Sequence, residues 1–214
     1  MGHRYQHIAF GAEAVERQRE AGSIVAYGAG LETPDQGPQE LTTREVALIT
    51  SVFQFHIATV APSGWPYVQC RSGPRGFLHH LGGNRIGFAD FRGNRQFVSV
   101  GNLEADGRVA LFVADYARRL RLKVFGHAHV IDGDDELLAR LRTIDGQTMT
   151  ARCERSIVID VEAFDWNCQR SLVPQLTVDE VRERVRPYAE EIISLRDRVA
   201  ELERRLREME SPSD

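Results

Sequence analysis

The spacing of apolar residues along this chain changes from segment to segment, and each spacing predicts a different kind of element. Residues 11–21 read as a short helix closed by Gly22-Ser23, and residues 28–37 are loop by their Gly, Pro and Asp content. A second helix begins near Thr42, because Thr42-Thr43-Arg44-Glu45 has the spacing of a capping box ahead of Val46, Leu48 and Ile49. The grammar then shifts to β. The β-branched run at residues 55–61 ends at Pro62-Ser63-Gly64 and resumes over residues 65–71, which is a hairpin. Further strands are predicted at 85–91, 108–115, 119–131 and 156–164, with a helix over 134–142 where Leu137, Leu138 and Leu141 recur at helical spacing. Many short strands with turns between them and few helices predict an antiparallel barrel rather than a doubly wound sheet.

From about Thr177 the period becomes 3.5 and holds for over four heptads. With Val178 as position a, the a sites are Val178, Val185, Ile192, Val199 and Leu206, and the d sites are Val181, Tyr188, Leu195, Leu202 and Met209. β-Branched residues at a with leucine at d favour a parallel two-stranded coil. The charges agree: Glu191 would meet Arg196, Arg198 would meet Glu203, and Arg205 would meet Glu210. The competing arrangement is a helix packed on its own barrel. Pro187 interrupts the early heptads and Tyr188 is unusual at d, so the part after Pro187 is the better coil. The expected organisation is a helical and loop extension over 1–50, a barrel domain over 51–175 and a C-terminal helix over 176–214.

Composition narrows the function. The chain has 214 residues and a formal net charge of −4, which argues against a general binder of nucleic acid or anionic membranes. Cys70, Cys153 and Cys168 are odd in number and far apart, so neither a disulfide framework nor a Cys-x-x-Cys metal site is expected, and a reducing cytoplasm is the expected location. No apolar run approaches the roughly 18 residues of a membrane span, and no signal peptide is expected at the start. Of the basic residues only Lys123 is a lysine; the skew toward arginine fits a GC-rich coding bias.

Three segments carry candidate chemistry. In Arg119-Leu120-Arg121-Leu122-Lys123-Val124 the alternation predicts three cations on one strand face, about 6.6 Å apart. Such a row is met by an anion, or else it is a solvated face or is salt-bridged to carboxylates on neighbouring strands. In Asp90-Phe91-Arg92-Gly93-Asn94-Arg95-Gln96 a strand runs through a tight turn into a helix, a fitting phosphate cradle with Arg92, Arg95 and the helix start as donors. In Gln69-Cys70-Arg71-Ser72-Gly73-Pro74 a strand enters a Gly-Pro loop with Gln69 and Arg71 on one face. His127 and His129 share a strand face, a common arrangement that does not by itself point to a metal, and Cys168 beside Trp166 reads as a core residue.

These residues, in one consistent order, resemble a known family. Residues 64–69, 73–78, 88–96 and 101–103, then Asp115-Tyr116 and Arg121-Leu122-Lys123-Val124-Phe125-Gly126, are similar to the pyridoxamine 5′-phosphate oxidase-like flavin-nucleotide-binding proteins. The resemblance runs over roughly residues 10–164 and implies a split β-barrel homodimer with FMN in each of two clefts at the subunit interface. It makes Gln69, Arg71, Ser72, Asp90, Arg92, Asn94, Arg95, Gln96, Arg119, Arg121 and Lys123 the expected cofactor contacts. Of these, Arg71, Arg95, Arg121 and Lys123 would serve the phosphate, and Gln69, Ser72, Asn94 and Gln96 the ring, ribityl chain or phosphate edge. Removing charge at Arg121 and Lys123 together is expected to release flavin. No catalytic residue and no metal are implied.

The resemblance also has gaps. After Asp165-Trp166-Asn167-Cys168 a Pro-Gln-His continuation is expected, yet the chain reads Gln169-Arg170-Ser171-Leu172, and Cys70 and His79-His80 also depart from expectation. Substrate identity is therefore not carried over, and vitamin B6 chemistry is not implied, because a recognisable substrate-phosphate signature of that enzyme is lacking. The expected function is a cytoplasmic FMN-dependent oxidoreductase that moves hydride or electrons between a reduced donor, such as a partner reductase, and a small organic substrate. The alternatives are a non-catalytic carrier of flavin, deazaflavin or haem with a coiled-coil docking arm, and a structural coiled-coil adaptor.

Overall fold

The computed structural model describes residues 3–167 and 172–210. Two compact units divide the chain, residues 1–172 and 173–214.

The first unit opens with helices α1 (His3–Ala9), α2 (Ala12–Glu20) and α3 (Ile24–Tyr27) and a 3-10 turn (Ala29–Glu32), followed by α4 (Thr43–Ile49). α4 starts at the predicted capping box, with both reciprocal bonds between Thr42 and Glu45 in place. Seven strands follow in one sheet: β1 (Gln54–Val60), β2 (Pro66–Ser72), β3 (His79–Gly82), β4 (Arg85–Phe91), β5 (Arg108–Asp115), β6 (Leu120–Ile131) and β9 (Cys153–Trp166). Helices α5 (Val98–Ala105) and α6 (Asp135–Leu141) and a small hairpin of β7 (Thr143–Ile144) and β8 (Gln147–Thr148) lie between them in sequence. The sheet order is β2-β1-β5-β6-β9-β4-β3, and every pairing is antiparallel.

The sheet cannot be flat. β1 and β4 are separated by β5, β6 and β9, so a flat sheet would hold them about 19 Å apart at 4.8 Å per strand. Yet the rings of Phe55 on β1 and Phe88 on β4 lie 5.3 Å apart, edge to face. The sheet therefore rolls until its distant strands meet, and Phe55, Phe77 and Phe88 fill the seam together with Ile57, Ile86, Leu122 and Ile159. A β-bulge at Phe125/Gly126, where β6 pairs with β9, contributes to the curvature. Gly126 has no room for a side chain there, because a Cβ would lie 2.5 Å from the Asp160 carbonyl oxygen.

The N-terminal segment is fastened to the barrel. Tyr5 stacks on Phe125 at 5.3 Å, Arg4 bridges Asp35 and Glu162, and Asn84 in the β3–β4 turn accepts from the Leu41 amide at 2.9 Å and donates to the Gln39 carbonyl at 2.7 Å. α4 is tied in through Glu45, which is buried and accepts from Thr42 and from the Trp166 indole. Burial pushes the Glu45 carboxyl up, but the bonds from Thr42 and Trp166 outweigh it and hold the carboxyl below its ordinary value of 4.5. A carboxylate depressed on folding stabilises above its unfolded pKa and loses that contribution as pH falls through the folded value. Glu45→Gln is expected to cost about 1.5–3 kcal/mol at pH 7 and much less at pH 3, in denaturant melts at both values; an equal cost at both would show that the charge is immaterial.

The described residues of the second unit contain one helix, α7 (Val178–Glu210), which runs through Pro187. Thr177 caps its start, accepting from the Glu180 amide at 3.2 Å while Glu180 accepts from the Thr177 amide at 2.7 Å. Among the described residues no helix is long and apolar enough to cross a membrane.

Candidate functional site

Alternation along β2 sets the first wall of a cleft. Tyr67, Gln69 and Arg71 are half-buried, while Val68, Cys70 and Ser72 point the other way and are exposed. Gln69 donates to the Tyr67 hydroxyl. Opposite stands the end of β4, where the Asp90 carboxylate lies 3.7 Å from the Arg71 guanidinium. Antiparallel pairing sets Arg155 of β9 directly across from Asp90. Burial raises the Asp90 carboxyl above its ordinary value, and Arg71 and Arg155 offset only part of that. Arg71 is thus oriented by Asp90, while its Nε is buried without a hydrogen-bond partner. A buried donor left open in this way fits an acceptor supplied by a ligand.

The third wall is the turn from Arg92 to Phe97. The Asn94 side chain accepts from the Gln96 amide at 3.1 Å, and both Arg95 (φ 62°) and Phe97 (φ 53°) are left-handed. Two non-glycine residues in that region carry backbone strain of the kind found where a ligand-binding turn is held open. Phe97 precedes α5, so the helix starts with no side-chain cap, and Val98, Ser99 and Val100 line the cleft. Uncapped amides at a helix start favour an anion. The cleft has a volume of about 90 Å³, small beside the ~300–1,000 Å³ of pockets that enclose whole small molecules. It suits a phosphate group, with the rest of a nucleotide outside it.

Arg121 and Lys123 share a face of β6, as the alternation predicts, but they line a second cleft of about 670 Å³ with Tyr5, Arg44, Asp165 and Trp166. Lys123 lies 3.0 Å from the Asp165 carboxylate, its cross-strand neighbour, and 4.6 Å from the Tyr5 ring centroid. Burial would lower the Lys123 pKa; Tyr5 and Asp165 outweigh it and hold it above the ordinary value. Arg44 covers the Trp166 ring at 4.2 Å.

Residues 41–184 match the family model of pyridoxamine 5′-phosphate oxidase. The chain belongs to the pyridoxamine 5′-phosphate oxidase family. Solved structures similar to this family member include HupZ from Group A Streptococcus (16% identity, 64% of this chain and 99% of that one, TM-score 0.47). Others are a putative pyridoxamine 5′-phosphate oxidase from Lactobacillus delbrueckii (21%, 59% and 93%, TM-score 0.45) and an FMN-binding protein from Syntrophomonas wolfei (14%, 72% and 97%, TM-score 0.45). No curated protein matches the chain in sequence.

Of the residues that the family resemblance pointed to, Gln69, Arg71, Asp90, Asn94, Arg95 and Gln96 line the first cleft together. Arg92 stands outside its lining, 3.5 Å from Glu154, and Ser72 is on the opposite face of β2. The expected row of three cations on β6 is shorter. Arg119 precedes the strand in a left-handed conformation (φ 57°), and its guanidinium donates to the Leu172 carbonyl at 3.1 Å. Alternation therefore cannot align it with Arg121 and Lys123. Within the single chain these two line a different cleft from Arg71 and Arg95. Sequence reading missed Tyr67, Glu154 and Arg155 in the first cleft and Tyr5 and Arg44 in the second. His129 pairs with Asp160 at 3.0 Å, and His127 lies 3.7 Å from Glu162. The reading of Cys168 as a core residue and the departures at 169–171 lie outside the described residues.

Proposed function

We propose that this protein binds FMN as a homodimer and acts as an oxidoreductase between a reduced donor and a small organic substrate. The observation that carries the reading is the first cleft, where the open Nε of Arg71, Arg95 and the uncapped start of α5 surround a phosphate-sized space. In this reading those groups hold the phosphate, Asn94 and Gln96 bind its edge or the ribityl chain, and Gln69 and Tyr67 meet the nearer part of the flavin. Because the cleft is too small for the ring system, the ring lies outside it. A second subunit is what would cover the ring, and the larger cleft with Arg121, Lys123 and Trp166 is the surface best suited to that task. Enclosure by two subunits excludes water, which strengthens every charge-assisted contact in the site.

When bound, flavin supplies reversible hydride and electron transfer, so the chain itself need only bind and orient. Asp90 holds Arg71 in place while sharing its charge with Arg155, and the net positive charge of the cleft is thereby kept for the ligand. The test is the absorbance spectrum of the purified protein with mass spectrometry of whatever it releases. FMN by mass, with bands at roughly 370 and 450 nm that bleach under a reduced nicotinamide, is the expected result. A Soret band, or a released deazaflavin, would contradict the assignment of the ligand; a flavin that no donor reduces would contradict the oxidoreductase role.

A further inference from the structure

Helix α7 leaves an apolar stripe in water. Ile192, Leu195, Val199, Leu202 and Leu206 are each about half exposed, on a helix whose remaining surface is largely charged. Isolated surface leucines are ordinary, but a continuous row at a 3.5-residue period is the seam of a supercoil. We propose that this seam is filled by the same helix of a second copy, as a parallel, in-register, two-stranded coiled coil. The inference does not depend on the flavin reading, since it uses only residues of the C-terminal unit.

The occupant follows from packing and charge. Isoleucine and valine at 192 and 199 with leucine at 195 and 202 are the a and d preferences of parallel dimers. In the parallel register Glu191 faces Arg196, Arg198 faces Glu203 and Arg205 faces Glu210, twice each by symmetry, and no like charges meet. An antiparallel pair over the same stripe, with Val178 against Met209, would keep Glu191 against Arg198 and Arg182 against Glu203 but would set Arg184 against Arg205 on both sides, so of the two registers only the parallel one is free of like-charge contacts. Pro187 falls at position c, on the outer face, where it costs a backbone bond without entering the seam.

Cysteine placement in the full-length protein tests both partner and orientation. Leu202→Cys puts a thiol at d, and Val199→Cys puts one at a as a second probe in case the first variant misfolds. Arg204→Cys, at the outward f position, is the control. Under mild oxidation Leu202→Cys or Val199→Cys should give about tenfold more covalent dimer on a non-reducing gel than Arg204→Cys or the unmodified chain, because only facing sites meet disulfide geometry. Equal yields at 202 and 204 would overturn the proposal, whether the stripe packs on its own chain or on a different protein. Linkage only when Leu202→Cys is mixed with Val185→Cys, the pair that faces in the antiparallel register, would overturn the parallel orientation.

Discussion

Replacing Arg71 and Arg95 together with alanine is expected to strip FMN from the protein while leaving it folded. Each arginine offers a charge-assisted bond to the phosphate, worth about 1.5–3 kcal/mol. Losing both should weaken FMN binding by about 10²–10⁴-fold, at tenfold per 1.4 kcal/mol. Arg92→Ala is the internal control. Its guanidinium is directed at Glu154 and stands outside the cleft lining, so FMN binding should change little. The measurement is fluorescence titration of the apo-protein with FMN. Loss of binding in Arg92→Ala with retention in the double variant would move the phosphate away from the cleft described above.

The largest stability effect is expected at Phe55. Its ring is 1% exposed and touches Phe77 and Phe88, the contacts that join distant strands of the rolled sheet. Phe55→Ala leaves a cavity at that seam and should cost about 3–5 kcal/mol, a large part of the 5–15 kcal/mol that typically holds a domain of this kind together (an order-of-magnitude range). Trp65→Ala removes a comparable ring that is 75% exposed, in the β1–β2 hairpin, and should cost under about 0.5 kcal/mol. Urea denaturation of both variants separates burial from ring size. Similar costs at the two positions would mean that Phe55 does not close the barrel.

The sequence made the barrel readable where local pattern and tertiary role coincide. The strands at 54–60, 66–72, 85–91 and 108–115 alternate or run apolar in register with their burial, and the capping box at Thr42 is purely local chemistry. α1 was not readable, because His3-Arg4-Tyr5-Gln6-His7 has no amphipathic period and is held by Tyr5 on Phe125 and by Arg4 on Glu162. β3 is four residues long and too short to display a period. Arg119 shows the limit of alternation as a guide. Its left-handed backbone ends a turn with neither glycine nor asparagine to mark it, so the sequence continues as if the strand had already begun.

The site divided along the same line. Arg71, Asn94 and Arg95 were visible because a strand end, an Asx turn and a helix start are local features. Arg155 reaches the cleft through the pairing of β4 with β9, a contact between residues 65 positions apart in the chain that no local spacing encodes. The Lys123 row was legible as a cationic face, but its cross-strand carboxylate, Asp165, became apparent only with the register of β6 on β9. That pairing is why Lys123 belongs to the second cleft and why the phosphate is assigned to Arg71 and Arg95.

In the function proposed above, the first cleft recognises the phosphate of a flavin nucleotide. Equilibrium titration of the apo-protein with FMN and with riboflavin, which differ only in that phosphate, tests it most directly. FMN is expected to bind at least about 100-fold more tightly, the equivalent of two charge-assisted bonds; equal affinities for the two would contradict the assignment of the phosphate to this cleft.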